Sequence, residues 1–346
     1  MMRILNAMFS TGLGGIEQSF ADYCHALAEL GHDVIALTQP ASAINATLSG
    51  KLTRIEIRNR GQWDIFAKSK IKQCLVSERP DIIIAHGNRP ISLLQSARNL
   101  GIPLVGVAHN YKLQHMKQCD AVFTVSQDLR NTVITKGLAN AKQCFHIPNM
   151  IHSIDPPPRQ AHFRNPVRIA TMGRFVEKKG FHLFLEALAL LKSQGFRFSA
   201  VIGGDGDEKE RLLALRNQLS LTNDVSFCGW VKNKSDFFAD ADIFCLPSLH
   251  EPFGIVLLEA FIHGIPVVST ASEGPSEIGT HMHDCILTEN HSAQALGQGL
   301  KTLIEQETLA QTLSRNAEQT VLNNYTPLIV ANKITVALKS ILSEYG

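Results

Sequence analysis

The sequence lacks three features: an apolar stretch that could span a membrane, a signal peptide and a cysteine pattern that could bind a metal ion. No uninterrupted apolar stretch reaches the roughly 20 residues that a membrane-spanning helix requires. The first residues, 1–7, run into a glycine loop too soon for a signal peptide. The seven cysteines are scattered and never spaced Cys-x-x-Cys, which indicates buried thiols in a reducing compartment and no metal framework. We therefore expect a cytoplasmic protein.

The sequence also has little net charge, only +2 over 346 residues, but the charge is unevenly distributed. Residues 1–165 contain more lysine and arginine than aspartate and glutamate, and residues 166–346 contain the reverse. The basic residues are densest in one segment and comprise Lys51, Arg54, Arg58, Arg60, Lys68, Lys70, Lys72 and Arg79. Such a segment can attract an anionic membrane surface or a phosphorylated acceptor, and a solvated basic helix face is the alternative.

The length is sufficient for two ordinary domains, and a composition of 45% apolar and 18% charged residues is typical of a well-cored globular protein. The best candidate linker contains three consecutive prolines, which exclude helix and give a semi-rigid spacer. We predict a first domain over residues 1–153, a linker over 154–166 and a second domain over 167–326. One more amphipathic helix is predicted over 327–346.

Both predicted domains begin with a strand, a glycine-containing loop and a helix, which is the usual start of an α/β domain that binds a nucleotide. In the first domain the loop contains Gly12, Gly14 and Gly15. A dinucleotide fingerprint would need its third glycine at the position of Glu17. A nicotinamide or flavin cofactor is therefore disfavoured.

Two glutamates, Glu251 and Glu259, flank a nearly all-apolar run in the second predicted domain. Pro252 disfavours helix at Glu251 and Gly254 permits a tight entry, so a buried helix is predicted from Ile255 onward. Glu251 then lies on a loop, whereas Glu259 lies inside the helix. A carboxylate in such a segment is costly to bury unless a partner hydrogen-bonds it, and a ligand rich in hydroxyl groups would do so.

The start of this predicted helix offers an anion site between the two glutamates. The N–H groups of Gly254, Ile255 and Val256 have no acceptor within the helix, and the positive end of the helix dipole suits a phosphate. An anion site between two carboxylates matches a nucleotide sugar, in which a diphosphate joins a ribose to a hexose. The alternative is that Glu251 is a solvated loop residue and Glu259 pairs with a buried lysine or arginine.

The same stretch closely resembles the family-4 retaining glycosyltransferases of the two-domain GT-B type. Their signature is two glutamates separated by seven residues, which Glu251 and Glu259 satisfy together with the intervening Pro-Phe-Gly. Residues 14–17 are similar to the Gly-Gly-x-Glu loop of that family. The resemblance implies an α/β fold with two Rossmann-like, doubly wound parallel-sheet domains facing a central cleft. It also implies that the helix over 327–346 packs back on the first domain.

The resemblance assigns further residues to a donor site. Gly14 and Gly15 would let the loop backbone approach the donor, because a side chain there would block close contact. Arg174 and Lys179 belong to a segment similar to the Gly-Arg…Lys-Gly loop of the family and would clamp the diphosphate without a metal ion. The N–H groups at 254–256 would bind the same diphosphate.

The resemblance implies roles for three side chains near the donor's sugar rings. Glu251 would orient the hexose as a catalytic residue, and Glu259 would bind the ribose. His109 follows a predicted strand, and family members commonly carry a histidine there that points at the donor sugar, so we assign His109 to the active site. A cap on the following helix is the alternative role for His109. His86, at the end of another predicted strand, is a weaker candidate on the acceptor side.

The implied reaction is transfer of a sugar from a UDP-sugar or GDP-sugar to a hydroxyl of a glycan or lipid-linked acceptor, with retained anomeric configuration. Lipopolysaccharide core or another cell-surface glycan is the implied product. No cofactor, metal ion or nucleic-acid partner is expected. The alternatives are a sugar-nucleotide epimerase or phosphorylase on the same fold, or a non-catalytic nucleotide-sugar-binding module.

One pattern in the basic segment allows two interpretations. Apolar residues recur there at helical spacing, with three lysines beside them: Trp63, Phe66, Ala67, Ile71, Cys74 and Leu75. We interpret them as a stripe that packs on the sheet while the lysines face solvent. The alternative is suggested by membrane-associated relatives, in which such a helix contacts the bilayer as a peripheral anchor on the cytoplasmic face of the inner membrane.

Overall fold

The computed structural model describes residues 1–12, 14–50, 52–152 and 162–345, and the chain divides into two compact units. Met1–Met150 and Tyr325–Gly346 form the first unit, and Ile151–Asn324 form the second. Several predicted features lie partly outside the described residues: the linker up to 161, Lys51 of the basic segment and Gly346 of the final helix.

The first unit contains a seven-stranded parallel sheet with the strand order β3-β2-β1-β4-β5-β6-β7. Strands β4 and β5 are buried along their whole length, as expected of a parallel sheet covered on both faces. The strands are β1 (Arg3–Ala7), β2 (Asp33–Thr38), β3 (Thr53–Glu56), β4 (Ile82–His86), β5 (Leu104–Ala108), β6 (Ala121–Thr124) and β7 (Cys144–His146).

Five α-helices of the first unit are described, and the last of them comes from the far end of the sequence. Val330, Ile334 and Leu338 of this helix are fully buried in the same apolar core as Ile4 and Leu27, because their spacing of four residues puts them on one helix face. The helices are α1 (Gly15–Glu29), α2 (Ile65–Glu78), α3 (Asn88–Leu93), α4 (Gln127–Thr135) and α12 (Pro327–Tyr345).

The predicted apolar stripe of α2 is only partly correct. Ala67, Ile71 and Leu75 are buried, whereas Trp63 and Phe66 are 75% and 79% exposed. The reason is visible at the helix start, where Asp64 caps α2 by accepting a hydrogen bond from the Ala67 N–H at 3.0 Å. Trp63 precedes the capped helix, and Phe66 is one position off the face that Ala67, Ile71 and Leu75 share at a spacing of four residues.

The second unit contains a six-stranded parallel sheet with the order β10-β9-β8-β11-β12-β13. Its core is formed by apolar residues of the strands and of helices α5 and α10. The strands are β8 (Val167–Met172), β9 (Phe198–Gly203), β10 (Val225–Gly229), β11 (Ile243–Leu246), β12 (Val267–Thr270) and β13 (Ile286–Thr288). The helices are α5 (Phe181–Ser193), α6 (Lys209–Gln218), α7 (Lys234–Ala239), α8 (Ile255–Ile262), α9 (Glu273–Ile278), α10 (Ala293–Glu305) and α11 (Glu307–Asn324).

Each sheet has one point at which the direction of strand addition reverses. In the first unit this point lies between β1 and β4, and in the second it lies between β8 and β11. Loops that leave the carboxyl ends of such neighbouring strands diverge, and open α/β sheets bind their ligands there. Within the described residues, none of the helices combines the length and the apolar character that crossing a membrane would require.

Candidate functional site

The Glu251 side chain lies at the reversal point of the second sheet, on the loop that follows β11. This residue is 8% exposed, so the solvated alternative is wrong. Its carboxylate forms an ion pair with the Lys179 ammonium and accepts a hydrogen bond from the Ser248 hydroxyl at 3.4 Å. The backbone is held as well, since the Glu251 N–H donates to Glu273 at 3.0 Å and the Gly274 N–H donates to the Glu251 carbonyl at 2.8 Å.

Lys179 reaches Glu251 because the loop after β8 packs closely against the loop after β11. The N–H groups of Leu249 and His250 both donate to the Lys178 carbonyl, at 2.9 and 3.2 Å. Gly180 has a φ of +64°, and a Cβ there would lie 2.0 Å from the Pro247 carbonyl oxygen. A larger residue would therefore push the two loops apart and separate the lysine from the glutamate.

Helix α8 begins next to Glu251, as the sequence predicts. Gly254 precedes the helix with a φ of +98°, and the side chains of Ile255 and Val256 are only half-buried. The N–H groups of this first turn have no acceptor inside the helix, and the helix dipole makes the region positive. The arrangement can bind an anion such as a phosphate.

Glu259 lies on the second turn of α8 and is 7% exposed. Its carboxylate forms an ion pair with Lys234, the first residue of α7, and its carbonyl oxygen contacts His263 Nδ1 at 2.6 Å. The alternative that Glu259 pairs with a basic residue is therefore found, although the Lys234 side chain is 51% exposed and not buried. The sequence analysis did not identify Lys234. The available signal was a lysine at the start of a helix, where the positive end of the helix dipole disfavours a cation.

Arg174 follows β8 at the same edge of the sheet and differs from Lys179 in its side-chain contacts. It is exposed, and its guanidinium has no carboxylate partner in the described part of the chain. The backbone beside it is fixed, because the Phe175 N–H donates to the Asp205 carbonyl at 2.9 Å and a Cβ on Gly204 would lie 1.9 Å from the Gly173 carbonyl. Arg174 thus offers a free fork of N–H donors on a rigid turn.

His86 and His109 meet at the carboxyl ends of β4 and β5 in the first unit. His86 Nδ1 lies 3.0 Å from His109 Nε2, and the two ring planes are inclined by 22° with their centroids 5.1 Å apart. The described contact of the His109 ring is thus a second imidazole and not a helix terminus, contrary to the alternative role as a cap. Burial lowers the pKa of His109 to about 3 and also lowers that of His86, so both rings are neutral at pH 7.

The glycine loop of the first unit enters α1 through Gly14 and Gly15. Gly14 is extended, with a φ of −166°, so its backbone would suit any residue. A Cβ there would meet the end of the flexible Glu17 side chain, with Oε2 at 3.1 Å. Neither the backbone conformation nor the described surroundings therefore require glycine at position 14.

The turn at Asp205 contains carboxylates that could suggest a metal site. The Asp205 carboxylate accepts hydrogen bonds from the Gly206 N–H at 2.9 Å and from Lys209 at 3.4 Å, and these bonds lower its pKa. Among the described residues, no group of three histidine, cysteine, aspartate or glutamate side chains is placed to hold a metal ion. Asp205 is therefore explained by its role in the turn.

Two family models match the chain, one in each half. Residues 13–153 match the model for glycosyltransferase family 4, and residues 157–320 match the model for glycosyl transferases group 1. The first match contains Gly14, Gly15 and the two histidines, His86 and His109. The second contains Arg174, Lys179, Glu251 and Glu259. The two matches together therefore include every residue assigned to the candidate site.

Curated relatives match over nearly the full length of the chain. The lipopolysaccharide core biosynthesis glycosyltransferase LpsE of Rhizobium meliloti is 27% identical over 319 residues, which cover 90% of this chain and 92% of that protein. LpsD of the same organism, with the same description, is 26% identical over 327 residues and covers 92% and 93%. The similarity is therefore to whole glycosyltransferases and not to a single shared domain.

Solved structures show the same fold. A glycosyltransferase from Rickettsia africae gives a TM-score of 0.86 at 19% identity and covers 99% of this chain and 98% of its own. Anabaena Alr3699/HepE in complex with UDP gives 0.83 at 21% identity, with coverage of 98% and 100%. These neighbours confirm the predicted GT-B fold class. With both family models matched, the chain belongs to the glycosyltransferases of family 4 and group 1.

Proposed function

We propose that the protein transfers a sugar from a nucleoside diphosphate donor to a hydroxyl of a glycan or glycolipid acceptor and retains the anomeric configuration. The observation that carries the proposal is the pair of buried carboxylates, Glu251 and Glu259, which flank in sequence the first turn of helix α8. The N–H groups of that turn have no acceptor within the helix. The names of the Rhizobium meliloti relatives support lipopolysaccharide core synthesis as the process.

In the proposed complex the two carboxylates bind the hydroxyl groups of the donor. Glu251 orients the hexose and Glu259 binds the ribose, while the N–H groups of Gly254, Ile255 and Val256 receive the diphosphate. Each carboxylate is paired with a lysine, which offsets part of the cost of keeping it buried. Donor binding would keep Glu251 hydrogen-bonded through sugar hydroxyls while Lys179 turns towards the diphosphate.

The charge that grows on the leaving nucleoside diphosphate needs stabilisation in the transition state. Arg174, Lys179 and the start of α8 supply it in our proposal, and no metal ion takes part. Acceptor attack and diphosphate departure occur on the same face of the sugar, and a phosphate oxygen takes the acceptor proton. Transfer should therefore persist in EDTA, whereas a complete loss that Mg²⁺ restores would contradict this mechanism.

The first unit contributes Gly14, Gly15 and His109 to donor binding in this proposal. The assignment of Gly14 and Gly15 is supported by the match of residues 13–153 to the family 4 model, and that of His109 by its position at a strand end in a neutral state. A neutral imidazole can exchange one hydrogen bond with a sugar hydroxyl without adding charge near the reacting carbon.

The first donors to test are UDP-sugars. Solved structures of Anabaena Alr3699/HepE contain UDP and UDP-glucose, and GDP-sugars remain the second group. A thermal-shift screen of the purified chain against both groups should raise the melting temperature most for the true donor, because stabilisation of the native state increases with the affinity of the ligand.

The deciding experiment is product analysis with a radiolabelled donor and a lipopolysaccharide core acceptor. Label in the acceptor with an unchanged anomeric configuration supports the proposal. Label in an isomerised nucleotide sugar would indicate an epimerase, and release of a sugar phosphate in the presence of orthophosphate would indicate a phosphorylase. Binding of the donor without any turnover would indicate a non-catalytic nucleotide-sugar-binding module.

We further propose that the start of α2 docks on an anionic bilayer, where a lipid-linked acceptor would be found. Trp63, Ile65 and Phe66 are 72–79% exposed there, and the Lys68 ammonium lies 5.8 Å from the Trp63 ring centroid. Exposed aromatic side chains beside lysines suit the interface between lipid headgroups and acyl chains. The basic character of the surrounding segment adds an electrostatic attraction to anionic lipids.

A further inference from the structure

His86, predicted from the sequence as a candidate on the acceptor side, is a buried histidine that contacts His109. It ends strand β4, is 2% exposed, and uses Nδ1 to contact His109 Nε2 at 3.0 Å. Its other nitrogen, Nε2, is buried and has no hydrogen-bond partner in the described structure. The imidazole packs edge to face against Tyr23 and Phe20, with centroid distances of 5.0 and 5.6 Å.

Two neutral imidazoles can share this hydrogen bond in only two ways. Either His86 Nδ1–H donates to His109 Nε2, or His109 Nε2–H donates to His86 Nδ1. In the first case His86 Nε2 is a bare acceptor, and the proton of His109 is on Nδ1. In the second case His86 Nε2 carries a buried proton with no hydrogen-bond acceptor, and His109 Nδ1 is bare.

The surroundings of His86 favour the first arrangement. A buried N–H without an acceptor is rarer in proteins than an acceptor without a donor, because the lost hydrogen bond to water is not replaced. The aromatic neighbours of His86 offer only a weak N–H···π contact in compensation. His109 differs in being partly exposed, so its Nδ1 can reach a ligand.

We propose that His86 is a positioning residue that donates from Nδ1 to His109 and thereby fixes the proton of His109 on Nδ1. His109 then presents a hydrogen-bond donor, and its ligand must offer an oxygen acceptor such as a sugar hydroxyl or a phosphate oxygen. The identity of this ligand rests on the proposed function. The tautomer of His109 does not.

The tautomer can be measured by nitrogen NMR on the full chain labelled with ¹⁵N-histidine, since protonated and bare ring nitrogens have different chemical shifts. A His109→Asn variant identifies the signals of His109. We expect a protonated Nδ1 and a bare Nε2 in the wild-type protein. A protonated Nε2 on His109 would overturn the proposal.

Two substitutions of His86 provide a matched pair. Asn places an N–H donor at the position of Nδ1, whereas Leu places a methyl group there. His86→Asn should keep the wild-type tautomer of His109, and His86→Leu should give a mixture of both tautomers. An unchanged tautomer in folded His86→Leu would contradict the positioning role. If the Leu variant does not fold, the wild-type measurement still decides which nitrogen carries the proton.

Kinetics then test whether the fixed proton matters for transfer. We expect kcat/KM for the donor to fall about tenfold in His86→Leu and to stay close to wild type in His86→Asn, as for loss of one neutral hydrogen bond. The same KM for the acceptor is expected in both variants. Equal kcat/KM in all three proteins would refute the positioning role, whereas absence of transfer in the wild type would refute the proposed function and leave the tautomer assignment intact.

Discussion

The Lys179 ammonium contacts the Glu251 carboxylate although the two residues are 72 positions apart in the sequence. Their side chains are 22% and 11% exposed, so the charges compensate each other in a region with little water. Two loops that leave neighbouring strands hold them together, and Gly180 permits the approach. Removal of one partner would therefore leave an uncompensated charge in the second unit.

Replacement of Lys179 by alanine is expected to destabilise the protein. Glu251 would remain buried without its main partner, and the free energy of unfolding should fall by about 2 kcal/mol. Glu251→Gln removes the charge and should cost less than half of this. Urea unfolding of both variants checks the prediction, and equal stability of Lys179→Ala and wild type would show that the ion pair contributes nothing.

Replacement of Arg174 is expected to affect catalysis alone. Its guanidinium is exposed and has no carboxylate partner in the described structure, so Arg174→Ala should change stability by less than about 0.5 kcal/mol. The kcat should fall about a hundredfold, as for other fixed groups that stabilise developing charge. Lys178→Ala is the matched control, since Lys178 is an exposed cation of the same loop. Similar losses in both variants would indicate a general charge effect.

Glu259 is expected to determine recognition of the ribose. Wild-type enzyme should prefer a normal donor over its 2′-deoxy or 3′-deoxy analogue by about tenfold or more, because the analogue lacks a hydroxyl that would hydrogen-bond the Glu259 carboxylate in the complex. Glu259→Leu should bind the normal donor more weakly and lose the preference. Competition assays with the three donors measure this preference. A Glu259→Leu enzyme that still prefers the normal donor over its deoxy analogues would show that the ribose binds elsewhere.

The exposed residues at the start of α2 are expected to bind vesicles that contain anionic lipid. Sedimentation with phosphatidylglycerol vesicles at low salt should retain the wild-type protein and lose a Trp63→Ala, Phe66→Ala variant. Leu328 and Val336 are 62% and 69% exposed on α12, and their replacement by alanine controls for loss of exposed apolar surface. Binding that is equal for both double variants, or absent in wild type, would exclude docking through α2.

Acid is expected to destabilise the protein partly through His86 and His109. Their pKa values are lowered in the folded state, to about 3 for His109, whereas a histidine in an unfolded chain titrates near about 6.5. The unfolded state therefore binds more protons below that pH, so the stabilising effect of the neutral pair is complete above pH about 6.5 and declines towards pH 3.

Urea unfolding between pH 7.5 and 4.5 measures this effect. A His86→Leu, His109→Leu variant should lose less stability over this range than the wild-type protein. His162→Gln serves as the control, because the His162 side chain is 83% exposed. Parallel curves for the wild type and the double variant would show that the two histidines are protonated alike in both states.

The sequence predicted those parts of the site that depend on neighbouring residues. Pro252 and Gly254 were sufficient to place Glu251 on a loop and Glu259 in a helix, and both positions are confirmed. The alternation of strands and helices likewise predicted two parallel sheets. Such patterns depend on consecutive residues, so they can be recognised without knowledge of tertiary contacts.

Contacts between distant residues were not predictable in the same way. The ion pair of Lys234 with Glu259 depends on how α7 packs, and the periodicity did not show that Trp63 and Phe66 are exposed. The contact between His86 and His109 did leave a signal. Both histidines end strands that were predicted to be parallel, and adjacent parallel strands bring their carboxyl ends together.

The burial of Val330, Ile334 and Leu338 in the first unit has a consequence for synthesis on the ribosome. Residues 1–150 emerge early, yet their apolar core stays incomplete until α12 has been translated. The second unit is continuous in sequence, so it can fold before the core of the first unit is complete. A chain that stopped at Asn324 would leave an open apolar groove over α1 and offer chaperones or other nascent chains a place to adhere.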